Sequence, residues 1–80
     1  MTELDEIANV LNGTLQEETE YRGSYNIEGE VATFDITGFN HEGFATELTE
    51  GLNESDDSKE FTFSFKVNEE GKEIIIITKK

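Results

Sequence analysis

Eighty residues carrying 19 Asp and Glu against 6 Lys and Arg give a formal net charge of -13. At this length the chain makes one domain, residues 1–80, with a thin core, and the absence of Cys removes both disulfides and thiolate metal sites as reinforcement. So negative a field repels nucleic acid and anionic membranes, which leaves basic proteins as the expected partners.

Residues 3–12 fit an amphipathic helix, with Leu4, Ile7, Ala8, Val10 and Leu11 in one arc and Asp5, Glu6, Asn9 and Asn12 in the other. Thr2 suits the N-cap, and Gly13 suits a left-handed stop, with Leu15 closing the turn against the core. The acids of Met1-Thr2-Glu3-Leu4-Asp5-Glu6 stand where a signal peptide carries lysines, and no apolar run approaches the roughly 18 residues of a spanning helix. The expectation is a cytoplasmic protein that neither enters nor crosses a membrane.

Between Glu20 and Thr37 the period changes to two. Tyr21, Tyr25 and Ile27 alternate with polar residues, and Ala32, Phe34 and Ile36 follow in the same way, so two strands are expected. A two-residue loop at Glu28-Gly29 would set Gly23 opposite Phe34. Residues 43–54 fit a short helix better than a strand, because Phe44, Ala45, Leu48 and Leu52 share about 100° of arc. On that reading Thr46, Glu47, Thr49, Glu50, Asn53 and Glu54 form the polar side, and a polar loop follows through Ser58.

Phe61, Phe63, Phe65 and Val67 alternate with polar residues before Asn68-Glu69-Glu70-Gly71-Lys72, where Gly71 suits the left-handed position of a bulged turn. The returning strand runs from Glu73 to Lys80. If Phe65 pairs with Ile75 and Phe63 with Ile77, then Ile74 and Ile76 fall on the opposite face beside Ser64 and Lys66. They are then either covered by the second helix or a loop, or form a homodimer contact. The fold class expected is α+β, a four-stranded antiparallel sheet of two hairpins with both helices on one face.

Motifs for catalysis are missing. His41 has no Cys and no second His to partner it and reads as a loop residue, and the chain holds no phosphate loop, serine elbow or zinc spacing, so no enzyme and no cofactor are expected. The stretch from Asn53 to Glu60 lacks the sixth-position Gly and alternating ligands of a calcium loop, and no metal site is expected there.

What remains is a dense array of carboxylates: Glu17, Glu18, Glu20, Glu28, Glu30, Asp35, Glu42, Glu47, Glu50, Glu54, Asp56 and Asp57. Residues 1–58 hold fifteen acids and one base, Arg22, whereas residues 59–80 hold four acids and five lysines. A body of this length should span about 30 Å, over which duplex DNA carries on the order of 18 phosphates. The two charge densities are comparable, so a basic groove built for phosphates would accept this surface.

In size, charge and composition the whole chain resembles the small, Cys-free, acidic α+β DNA mimics encoded by phages, and among them the host-takeover proteins that bind the bacterial nucleoid protein HU. That resemblance implies an inhibitor whose carboxylates fill the DNA-binding surface of HU. Similar acidic proteins target uracil-DNA glycosylase, restriction enzymes or CRISPR effectors. The competing expectation is an acidic assembly subunit that docks through the isoleucine strand.

Overall fold

The computed structural model describes residues 3–19, 25–39 and 43–80. In chain order the elements are α1 (Glu3–Thr19), β1 (Tyr25–Glu28), β2 (Val31–Asp35), α2 (Phe44–Glu54), a 3-10 turn (Asp56–Lys59), β3 (Phe61–Val67) and β4 (Glu73–Lys79). The strands form one antiparallel sheet in the order β1-β2-β4-β3, so the two hairpins join through β2 and β4. Thr2, Glu20, Tyr21, Gly23, His41 and Glu42, on which some expectations rested, lie outside the described residues.

α1 exceeds its expected end by two turns. Leu4, Ala8, Leu11 and Leu15 form one buried stripe that runs straight through Gly13. Burying Leu15 is worth about 2 kcal/mol, which outweighs the roughly 1 kcal/mol that a helical glycine costs. The hydroxyls of Thr14 and Thr19 donate to the carbonyls of Val10 (3.1 Å) and Leu15 (2.7 Å), one turn back. Val10 is not in the core but 63% exposed, because it points about 130° from the centre of the stripe at 100° per residue.

The first hairpin turns at Gly29-Glu30 rather than Glu28-Gly29, with Gly29 at φ 61. Tyr25, not Gly23, is therefore opposite Phe34, their ring centroids 5.0 Å apart. The slip from the expected register is two residues, so every side chain keeps its face. An aromatic pair contributes more contact there than an aromatic over glycine.

In the second hairpin Phe63 pairs with Ile77 and Phe65 with Ile75, as the alternation predicts, and Gly71 takes φ 83. The side chain of Asn68 organises its turn by accepting from the N–H groups of Glu70 and Lys72, both at 2.9 Å. Ala32, Phe34, Phe61, Phe63, Ile75 and Ile77 line the inner face and pack with the α1 stripe in one cluster. Ala45 of α2 joins the same cluster, and Phe44, Leu48 and Leu52 pack against it, which places both helices on the inner side.

Two residues assigned to the polar side of α2 behave otherwise. Thr49 is buried, its hydroxyl donating to the Ala45 carbonyl at 3.0 Å, so its polarity is satisfied within the helix. Asn53 reaches the edge of the sheet: its Nδ2 donates to the Phe63 carbonyl (2.8 Å) and the Phe63 N–H donates to its Oδ1 (3.1 Å). A helix side chain thus stands in for a fifth strand at one residue of β3. The expected polar loop after α2 begins with the 3-10 turn, where the Ser58 hydroxyl donates to the Ser55 carbonyl at 2.7 Å.

The outer face carries three cross-strand rows fixed by register. They are Glu28, Val31, Thr78 and Thr62; Asn26, Thr33, Ile76 and Ser64; and Asp35, Ile74 and Lys66. Ile74 and Ile76 are half-buried between their row neighbours. Among the described residues neither helix packs on this side.

Candidate functional site

α2 and the turn after it gather the densest group of acids. Glu47, Glu50 and Glu54 fall within about 60° of arc and are all exposed, since the opposite side of the helix is committed to the core. They span about 10 Å of helix axis. One DNA strand presents a phosphate per about 3.4 Å of axis, so the strip has a charge density of the same order. Asp56, also exposed, extends it into the 3-10 turn, while the side chain of Asp57 lies outside what the structure describes. Lys59 approaches Asp56 at 3.9 Å, but both side chains are solvated and the pair contributes little.

Glu50 and Glu54 lie toward the C-terminal end of α2, and Glu17 and Glu18 lie in the last turn of α1; neither helix has a basic residue in its last turn. A helix C-terminus carries partial negative charge and favours cations, so each acid placed there opposes the dipole by a few tenths of a kcal/mol. The helices tolerate this arrangement without deriving stability from it. All of these side chains project into solvent.

The remaining predicted carboxylates are not brought to the α2 strip. Glu28 and Glu30 stand exposed at the first hairpin turn, at one end of the sheet, and Asp35 stands at the opposite end of β2. Asp35 is held by its neighbour: the Thr37 hydroxyl donates to Oδ1 at 2.6 Å and the Thr37 N–H at 3.1 Å. These bonds, the hydroxyl first, keep its pKa below the ordinary carboxylate value, and Lys72 adds to the effect. The Glu73 N–H in turn donates to the Thr37 hydroxyl at 3.0 Å, tying the end of β2 to the start of β4.

Charge therefore divides differently in space than along the chain. β4 lies between β2 and β3, so one strand of the near-neutral C-terminal segment is built into the centre of the sheet and the other, β3, forms an edge. Lys79 of β4 meets Glu3 of α1 at 3.6 Å. Glu3, Glu6 and Glu60 edge a groove of about 380 Å³ whose apolar walls are Ile7, Val10 and Phe61. These three acids escaped the sequence reading because only the packing of α1 against the start of β3 brings them together. Among the described residues the strand rows of the outer face are low in charge, with two acids, Glu28 and Asp35, and one base, Lys66.

The whole body measures 28 × 24 × 24 Å, with a radius of gyration of 11.7 Å. Among the described residues no three His, Asp or Glu converge as metal ligands, and no helix is long and apolar enough to cross a membrane. Comparison with known protein families, curated proteins and solved structures finds no match for this chain.

Proposed function

We propose that the protein is a stoichiometric DNA-mimic inhibitor that occupies the basic DNA-binding surface of a host protein. The observation that carries this reading is the strip of Glu47, Glu50, Glu54 and Asp56, exposed on a packed helix and its following turn, and set partly against the helix dipole. Anchored carboxylates lose little entropy on binding and gain from counterion release on the partner, as phosphates do. The acids at the first hairpin turn and at the end of α1 would add long-range attraction and speed encounter. The nucleoid protein HU is the target to which the resemblance points, and the protein would then act in the bacterial cytoplasm, on the nucleoid through its partner.

The test is competition. Labelled duplex bound to HU should be displaced by the protein, and affinity for HU should fall steeply as salt rises. Glu47→Gln, Glu50→Gln and Glu54→Gln together should weaken binding at least tenfold and flatten the log-log salt slope by about three, one per lost contact. Binding that ignores salt, or that leaves the duplex in place, would overturn the reading for this target.

A further inference from the structure

We propose that the outer face of the sheet is a self-association surface, and that two copies pack face to face about a two-fold axis running along β4. This goes beyond the inhibitor reading and does not depend on it. The argument starts from register. In one row Asp35, Ile74 and Lys66 stand side by side on β2, β4 and β3. Rotation by a half turn about β4 exchanges the β2 and β3 sides, so Lys66 of one copy faces Asp35 of the other, twice, with Ile74 stacked on Ile74 between them. The row is complementary to itself, which is what a two-fold interface requires.

Electrostatics favours the same occupant. Two bodies of charge -13 approach most easily through a face with few acids, and among the described residues the strand rows of the outer face carry Glu28 and Asp35 against Lys66, with Lys72 close enough to act on Asp35. Thr37 holds the Asp35 carboxylate in place with two hydrogen bonds to Oδ1. Ile74, Ile76 and Val31 supply apolar area among short hydroxyl side chains, so sheets about 10 Å apart could interdigitate over it. From strand spacing and rise the face offers roughly 400 Å² per copy, small for a permanent dimer and suited to a dissociable one.

Sedimentation equilibrium from about 10 μM to 1 mM protein, at about 50 and 500 mM salt, tests this. The expected result is a mass rising from 9.0 kDa toward twice that value. Association should tighten with salt, since screening relieves the repulsion of two acidic bodies, the reverse of the trend for a basic partner. Ile76→Lys should weaken the dimer at least tenfold with the circular dichroism spectrum unchanged. Lys66→Glu should do so more strongly at low salt, and mixing it with Asp35→Lys should recover a heterodimer. Should Asp35→Lys not fold, the first two variants still decide. A chain that remains monomeric throughout, or a dimer indifferent to both Ile76→Lys and Lys66→Glu, would overturn the proposal, the latter moving the contact elsewhere, for example to the β1 edge.

Discussion

Asn53 satisfies both backbone groups of one residue at the β3 edge, donating to and accepting from Phe63, where a further strand would otherwise have to pair. Removing it takes the partner from both the N–H and the C=O of Phe63, whose bonds to Asn53 are partly buried. Asn53→Ala is expected to cost about 1–2 kcal/mol in urea unfolding, more than an exposed helix position normally would. Asp35 makes a different kind of contribution. Its pKa is depressed in the fold by Thr37, so the stability it adds is present above the ordinary value of 3.8 and is lost as pH falls through the lower folded value. In Thr37→Val the carboxyl should titrate closer to the ordinary value, which NMR of the Asp35 side chain would read directly. Neither role was legible from composition. Asn53 and Asp35 are ordinary polar residues in sequence, and what they do depends on a strand or a turn that long-range pairing brings to them.

At the scale of elements, α1 shows how a local stop signal can lose. Gly13 suits a helix end, but Leu15 continues the apolar stripe, and the packing of that stripe on the sheet settles the competition. Gly13 lies within the helix without a positive φ, and a Cβ added there meets nothing within 4 Å. Gly13→Ala should therefore stabilise the protein by about 0.5–1 kcal/mol, raising the midpoint of urea unfolding. Were the chain left-handed at Gly13, the same substitution would destabilise it. The strands were more legible than the helix end, because alternation has period two and a register error must move by two residues to keep the apolar face inward. The first hairpin made that slip, from Glu28-Gly29 to Gly29-Glu30, and kept its core.

At the scale of the whole molecule the opposed salt trends separate the two proposed surfaces. Binding of a basic partner by the α2 strip should weaken with salt, while contact between two copies through the sheet should strengthen. The net charge and the alternation of Phe61 to Val67 with Ile74 to Ile77 were readable without coordinates, because composition is additive and side-chain direction in a strand follows from the pleat alone. Where the acids stand relative to one another was not readable. That depends on β4 inserting between β2 and β3, on α1 laying Glu3 and Glu6 beside Glu60, and on α2 turning Glu47, Glu50 and Glu54 outward. These are pairings between distant parts of the chain, chosen by the burial of one shared core, and no local pattern encodes them.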